Sequence, residues 1–212
     1  MWPKFLGRKA ARTDPGRWLV LDVESSGLDA SADRLLALAA VAVRHDGRQV
    51  WIELADSFEV VLQQPADGGP PDKSNILVHG IGVAAQGRGI DPATALDRFV
   101  AFVGGSPLLG FHVEFDRRLI DRATQGVLGT KLAGPWLDIA DIAAVLQPGH
   151  RTRTLDDWLD ACGIECAQRH QAASDTLATA ELLLHLWPGA RAEGVTDFRG
   201  LSRLAARRRW LS

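Results

Sequence analysis

The stretch Trp18-Leu-Val-Leu-Asp-Val23, followed by Glu24 and a Ser-Ser-Gly turn, is the part of this chain that says most about its fold. A short apolar run that stops at a turn containing serine and glycine is typical of a buried β-strand. This strand places Asp22 and Glu24 at its end. Because alternate residues of a strand point to the same face, the two carboxylates leave the sheet on one side.

The rest of the sequence extends this strand into an α/β domain. The run 35–43 predicts a second strand, and Asp46-Gly47 predicts a hairpin turn into a third strand at 50–62. A further strand is predicted at 107–111, and helical spacing predicts helices over 92–103, 114–123, 138–146, 154–162 and 171–186, the last ending at Pro188-Gly189. We therefore expect an antiparallel meander followed by parallel strands, in a mixed sheet of about five strands flanked by helices.

Length and charge favour one domain with basic ends. With 212 residues, 46% of them hydrophobic, the chain is long enough for one core and short extensions. Residues 1–17 and 197–212 together hold ten bases and two acids, which leaves 14 bases and 24 acids between them, a net charge of −10. An acidic body with basic ends fits a protein that holds cations and contacts polyanions, although ordinary scatter of surface charge explains it equally well. We predict a basic N-terminal arm (1–17), a domain (18–190) and a basic C-terminal tail (191–212).

The cysteine content and the apolar runs exclude several classes of protein. Cys162 and Cys166, without a second pair, provide neither a zinc framework nor a disulfide scaffold, so we expect reduced thiols. The longest apolar run, 35–43, has nine residues and is too short to span a membrane. We therefore expect a cytoplasmic protein with no membrane partner.

The pair formed by Asp22 and Glu24 is the first indication of chemistry. Carboxylate oxygens are the ligands that hard divalent ions such as Mg²⁺ prefer. An exposed Asp-x-Glu is common, so the pair alone indicates little. The residues that follow it along the chain change this assessment: Asp116 lies in the first turn of a predicted helix just past a strand end, and Asp175 follows His170 by five residues.

These segments resemble, in order, the motifs of the DnaQ-like (DEDD) 3′→5′ exonucleases, whose best-known member is the proofreading epsilon subunit of bacterial DNA polymerase III. The matching segments are Asp22-Val-Glu24-Ser-Ser-Gly-Leu28, Val-His79-Gly-Ile, Gly110-Phe-His-Val-Glu-Phe-Asp116, Asp138, Thr154-Leu-Asp-Asp-Trp-Leu, and Arg169-His170-Gln-Ala-Ala-Ser-Asp175. They cover roughly residues 18–187, and ordered matches over such a span are far more specific than any single motif.

The resemblance implies a ribonuclease H-like fold in which Asp22, Glu24, Asp116 and Asp175 converge around two divalent ions, Mg²⁺ or Mn²⁺. It also implies that Asp22 bridges the ions, that Glu24 and Asp175 complete the first ion's site, and that Asp116 reaches the second ion through water. The chemistry agrees, because phosphodiester hydrolysis needs a nucleophile made from water and a countercharge for the leaving oxygen. Two cations ~3.5–4 Å apart supply both.

His170 is the candidate general base. An imidazole, with an unperturbed pKa of ~6.5, titrates near ambient pH. One branch of the family uses His five residues before the last Asp, and the other uses Tyr four residues before it. Here the second position is Gln171, and the chain contains no Tyr. We therefore predict His170, Asp22, Glu24, Asp116 and Asp175 as catalytic residues, with the four carboxylates as metal ligands.

The substrate-binding positions follow the family pattern less closely. Phe111 and His112 stand where many relatives have His and Asn, so an Asn suited to contacting substrate is missing. The resemblance places Ser26, Leu28 and His79 at the pocket for the terminal nucleotide, which has a hydrophobic wedge beside the base. Wedging a base from its neighbours favours single-stranded or frayed ends.

The expected activity is hydrolysis of phosphodiester bonds at the 3′ end of DNA, with release of nucleoside 5′-monophosphates, in proofreading or repair. A 3′→5′ exoribonuclease resembling ribonuclease T or oligoribonuclease is the alternative enzyme, because no residue identifies a contact to the 2′-hydroxyl of RNA. A non-catalytic module that binds a polymerase or nucleic acid is the alternative from another class. A DNA polymerase subunit is a further expected partner.

The run Arg207-Arg-Arg-Trp210 stands apart from these motifs. It combines charge with an aromatic ring, a pairing suited to phosphate contact and base stacking. Such runs are more often solvated helix ends.

Overall fold

The computed structural model describes residues 14–65, 73–149 and 154–210. Within these residues, one sheet contains the strands β1 (Arg17–Ser25), β2 (Leu35–His45), β3 (Val50–Val61), β4 (Leu108–Gly110) and β5 (Trp136–Asp138). The helices are α1 (Lys73–His79), α2 (Val83–Gly87), α3 (Pro92–Val103), α4 (Glu114–Leu128), α5 (Ile139–Leu146), α6 (Leu155–Cys162), α7 (Ala172–Ala192) and α8 (Phe198–Ala206). A 3₁₀ turn over Arg207–Trp210 follows α8.

The sheet has the order β3-β2-β1-β4-β5. The pairs β1–β2 and β2–β3 are antiparallel, whereas β1–β4 and β4–β5 are parallel. This confirms the predicted mixed sheet, in which a meander is followed by parallel strands. The carboxyl ends of β1, β4 and β5 consequently meet at one edge of the sheet.

Helices cover both faces of β1, and the alternation of its side chains decides which helix each residue meets. Trp18 and Val20 belong to a core cluster that includes residues of α5, α6, α7 and α8. Leu19 and Leu21 belong to a second cluster with residues of α3 and α4. Since Asp22 continues the series of Trp18 and Val20, its side chain leaves β1 on the α7 side.

Helix α7 differs from the prediction. We expected it to end at Pro188-Gly189, but it continues through both residues to Ala192. A proline inside a helix lacks one backbone hydrogen-bond donor. Burial offsets this loss, because Trp187 and Ala190 pack in the core and the Trp187 indole donates a hydrogen bond to the Arg48 carbonyl at 3.0 Å.

The predicted C-terminal tail packs against the domain over most of its length. Val195, Leu201 and Leu204 belong to the same core cluster as Trp18, and α8 packs on α5. The chain from Phe198 to Trp210 forms α8 and the turn after it. Residues 1–13 of the predicted arm and residues 66–72, 150–153 and 211–212 lie outside the described residues. No helix in the described ranges combines the length and apolar character needed to cross a membrane.

Candidate metal and active site

Three carboxylates meet at the carboxyl end of β1. Asp22 and Glu24 leave this strand on the face covered by α7, and Asp175 lies in the first turn of α7. One oxygen of each residue lies within 4.8 Å of the other two. Burial of Ala178 and Leu182 holds α7 against the sheet, which keeps Asp175 at the strand end. The structure therefore brings together three of the four predicted metal ligands as one cluster.

The fourth carboxylate, Asp116, approaches from the opposite layer. It lies in the first turn of α4, which begins just past the end of β4, and only 6% of its surface is exposed. The link between β4 and α4 lies close to β1, since a Cβ on Gly110 would lie 3.2 Å from the Leu21 carbonyl oxygen. Asp116 accepts a backbone hydrogen bond from Val23 and acts electrostatically on Asp22.

Burial and nearby negative charge raise the pKa values of Glu24, Asp116 and Asp22. Desolvation raises the pKa of Glu24 to about 8, with a further contribution from Asp175. Desolvation is also the main reason that the pKa of Asp116 is raised to about 8. The pKa of Asp22 lies well above its ordinary value because of burial and the charges of Asp116, Glu24 and Asp175. A cluster that resists ionisation in this way needs nearby positive charge to become fully anionic.

Arg169 supplies one such charge, and sequence reasoning missed it. Its guanidinium group pairs with the carboxylates of both Asp156 and Asp175. Asp175 also accepts a hydrogen bond from the His170 backbone N–H at 3.0 Å and a contact from the Cys166 thiol at 3.4 Å. Arg169 stands beside His170 in the last motif, but no local pattern reveals a partner 13 residues away in the sequence.

His170 lies on the loop that enters α7, beside the cluster. Its side chain is exposed, and its backbone has a φ of 60°. A non-glycine residue in this region costs roughly 1–3 kcal/mol and persists only where surrounding contacts enforce it. The hydrogen bond from its N–H to Asp175 is one such contact. This hydrogen bond holds the backbone of His170 at the edge of the carboxylate cluster, and the imidazole remains exposed to solvent.

A second strained histidine lies at the neighbouring strand end. His112 has a φ of 54°, and its backbone N–H donates to the carboxylate of Asp138 at 3.0 Å. The same Asp138 oxygen caps α5 by accepting the Ala140 N–H at 2.9 Å. Asp138 also acts electrostatically on Asp116. His112 thus ties the ends of β4 and β5 together next to the carboxylate site.

The predicted substrate residues lie in different surroundings. The Ser26 hydroxyl donates to Asp33 at 2.9 Å and accepts the Arg34 N–H at 2.9 Å, which pins the loop after β1. This loop presents Leu28, whose surface is 96% exposed, at the rim of an open groove of about 880 Å³. The groove runs along α4 and includes Phe115 and Arg118 in its lining.

His79 is buried instead of lining this groove. Its Nδ1 accepts the Ile81 N–H at 2.9 Å, and desolvation lowers the pKa of the imidazole. Within the described part of the chain, the groove lining includes Leu28 but neither His79 nor Ser26.

Curated relatives match most of this chain but are much longer. A DNA polymerase III subunit epsilon-like protein from Rhodobacter capsulatus is 32% identical over 184 residues, which cover 85% of this chain and 25% of the relative. The PolC-type DNA polymerase III of Bacillus subtilis is 28% identical over 179 residues, which cover 84% of this chain and 12% of the relative. This chain therefore spans a quarter or less of the length of these relatives.

Solved structures of exonuclease I share the fold. The structure reported to suggest how processivity is achieved by exonuclease I has a TM-score of 0.68 at 20% identity, covering 84% of this chain and 44% of that chain. E. coli exonuclease I in complex with a dA16 oligonucleotide has a TM-score of 0.69 at 19% identity, and the match covers 84% of this chain and 42% of that chain. This likeness confirms the predicted ribonuclease H-like fold.

A family model supplies the last comparison. The model described as Exonuclease matches residues 19–183, a span that includes every carboxylate of the site together with His170. A match over more than half of the chain, joined to the same fold, leaves one conclusion: this chain belongs to the Exonuclease family.

Proposed function

We propose that this chain is a metal-dependent 3′→5′ exonuclease that removes nucleoside 5′-monophosphates from the 3′ end of DNA. The convergence of Asp22, Glu24 and Asp175 within 4.8 Å, with Asp116 acting on Asp22 from the opposite layer, is the observation that carries the proposal. Membership of the Exonuclease family supports it. A non-catalytic module would have no use for buried carboxyl groups with raised pKa values, which cost stability.

The residues at this site fit divalent cations. Their donors are carboxylate oxygens, the ligands that Mg²⁺ and Mn²⁺ prefer. Desolvation is the main reason that the pKa values of Glu24 and Asp116 are raised, and bound cations would favour the ionised carboxylates that burial disfavours. We propose that Asp22, Glu24, Asp116 and Asp175 hold two such ions. When bound, they would lower the pKa of coordinated water and stabilise charge on the leaving oxygen.

His170 is proposed to accept the proton of the attacking water. Its imidazole is exposed, and its backbone is tied to Asp175, so the ring starts from the edge of the carboxylate site and has access to water. The left-handed backbone conformation keeps this residue at the start of α7 instead of letting it join the helix. An imidazole placed in this way can take up the proton and pass it to solvent.

The 3′-terminal nucleotide is proposed to lie next to the loop that follows β1. Leu28 is almost fully exposed beside the groove along α4, and exposed apolar side chains that border a groove are suited to contact with a base. Ser26 supports this loop through Asp33. His79 stands apart from this groove, and its buried ring holds the chain at Ile81.

DNA is proposed as the substrate, with the polymerase names of the curated relatives and the oligonucleotide-bound exonuclease I structures as support. Association with a DNA polymerase subunit, frayed or single-stranded 3′ ends as targets, and a cytoplasmic location are part of the same proposal.

The experiment compares DNA and RNA oligonucleotides of one sequence, labelled at the 5′ end, with and without EDTA. We expect a ladder that shortens from the 3′ end, release of nucleoside 5′-monophosphates, and no cleavage in EDTA. Asp22→Ala and His170→Ala are compared with Asp160→Ala and His185→Ala, whose residues are exposed on α6 and α7. Loss of the base in His170→Ala should lower the rate about 10²- to 10⁴-fold.

The controls should retain full activity. Undiminished activity of Asp22→Ala would refute the site, and a clear preference for RNA would replace the proposed substrate with an exoribonuclease substrate.

A further inference from the structure

The C-terminal turn, Arg207–Trp210, presents an unusual surface. All four of its side chains are exposed, and the indole of Trp210 is 86% exposed. Arg207 pairs with Glu193, which ties the start of the turn to the end of α7. The turn thus displays an aromatic ring and guanidinium groups from an anchored backbone.

The packing of α8 determines where this surface lies. The buried residues Leu201 and Leu204 hold α8 in the core, and both α8 and the C-terminal turn contact α5. Arg208 and Arg209 lie near enough to Asp141, in the first turn of α5, to oppose the rise that burial causes in the pKa of its carboxyl group. The first turn of α5 directly follows the end of β5.

Asp141 is linked to the carboxylate site through His112 and Asp138. His112 also acts on Asp141, and its backbone N–H donates to Asp138 at 3.0 Å. Asp138 in turn acts electrostatically on Asp116. The C-terminal turn therefore lies on the sheet edge that carries the active site, beyond the ends of β4 and β5. Leu28 and its groove lie on the side of α4, at the end of β1.

We propose that the C-terminal turn binds the single-stranded nucleic acid upstream of the 3′ end, with Trp210 stacking on a base and Arg208 and Arg209 contacting phosphates. The proposal rests on the proposed nuclease function for the identity of the ligand. Guanidinium groups suit phosphate geometry, and an exposed indole stacks on any base, so the pair recognises single strands without regard to sequence.

The charge distribution favours a polyanion over a protein partner. The chain between residues 18 and 196 carries a net charge of −10. This charge repels a nucleic-acid backbone except where basic side chains are concentrated. The C-terminal turn concentrates three arginines beside the acidic site that the scissile phosphate must reach. A second binding point at the C-terminal turn would hold the nucleic-acid strand while its 3′ end lies at the carboxylate site.

Binding is tested in EDTA, where we expect no cleavage, by fluorescence anisotropy of a 5′-labelled oligo-dT. A length of about 20 nucleotides exceeds the ~4–16 nucleotides that single-strand-binding OB-fold domains cover, so the probe is long enough to reach the turn. Trp210→Ala should weaken binding about fivefold or more. Arg208→Gln should lower the slope of log K against log salt by about 0.7, the value for one phosphate contact on a single strand. The matched controls are Trp51→Ala on β3 and Arg98→Gln on α3, both at exposed positions.

Hydrolysis separates this inference from the proposed function. With metal present, Trp210→Ala should raise KM for the long oligonucleotide while leaving kcat unchanged, and it should not alter hydrolysis of a trinucleotide too short to reach the turn. Unchanged binding and an unchanged salt slope in both variants would overturn the inference, even with full nuclease activity, and would leave the turn to a protein partner. A wild-type chain that binds the oligonucleotide through Trp210 without cleaving it would instead refute only the proposed function.

Discussion

Binding of Mg²⁺ or Mn²⁺ to the metal-free protein should release protons, because the carboxyl groups of the site hold them at neutral pH. Burial raises the pKa of Glu24 to about 8. At pH 7 such a group is about nine-tenths protonated. A cation that takes Glu24 as a ligand must displace that proton, since the ionised carboxylate is the ligand.

The number of protons displaced determines how steeply the metal affinity depends on pH. One proton per bound ion makes the apparent affinity rise about tenfold for each pH unit below 8. The pKa of Asp116 is also raised to about 8, so a cation that binds the ionised Asp116 carboxylate releases a second proton. Asp22, another proposed ligand with a raised pKa, contributes in the same way. We therefore expect release of at least about one proton at pH 7, and a Kd that falls steeply between pH 6 and pH 8.

Isothermal titration calorimetry in buffers of different ionisation enthalpy counts these protons directly. Glu24→Gln should release about one proton fewer than the wild type and show a shallower pH dependence. Glu59→Gln, a change at an exposed position of β3, is the matched control and should behave as the wild type does. A Kd that does not change between pH 6 and 8, or an equal proton count in Glu24→Gln and wild type, would refute the proposed coupling between burial and metal binding.

Two further predictions concern stability. In EDTA, the melting temperature should fall as the pH rises from 5 to 8.5. The folded protein keeps the Glu24 proton up to about pH 8, whereas the unfolded chain loses it near ~4.3, so this stability is present at low pH and lost through the folded-state pKa. Asp22→Asn removes another carboxyl group whose pKa is raised by burial, and with it that group's own loss of stability on ionisation, so the fall should be smaller; an equal fall in both proteins would contradict this contribution of Asp22. Leu201→Ala in α8 should lower the free energy of unfolding by about 2–5 kcal/mol because the side chain is fully buried, measured by urea denaturation. Leu54→Ala, at a position 64% exposed, should change it by less than about 0.5 kcal/mol; similar values for the two variants would show that α8 is dispensable for the fold.

The site was predictable in its outline because its parts are encoded by local patterns. The alternation along β1 alone places Asp22 and Glu24 on one face, and the helix predicted from residue 171 lies on that face as α7. The predicted end of α7 at Pro188-Gly189 was wrong. A proline ordinarily ends a helix, but burial of Trp187 and Ala190 in the core keeps this helix intact through Ala192.

The mixed sheet, the strand end that carries the first carboxylates and the family could all be predicted from local sequence patterns. Each of these follows from side-chain periodicity or from the order of short motifs, which are properties of neighbouring residues. Two features appear only in the folded chain: Arg169 bridges Asp156 and Asp175, and the C-terminal turn packs on α5. Both depend on how helices pack across the sheet, because the distance between residues far apart in the chain is set by that packing and by no local pattern.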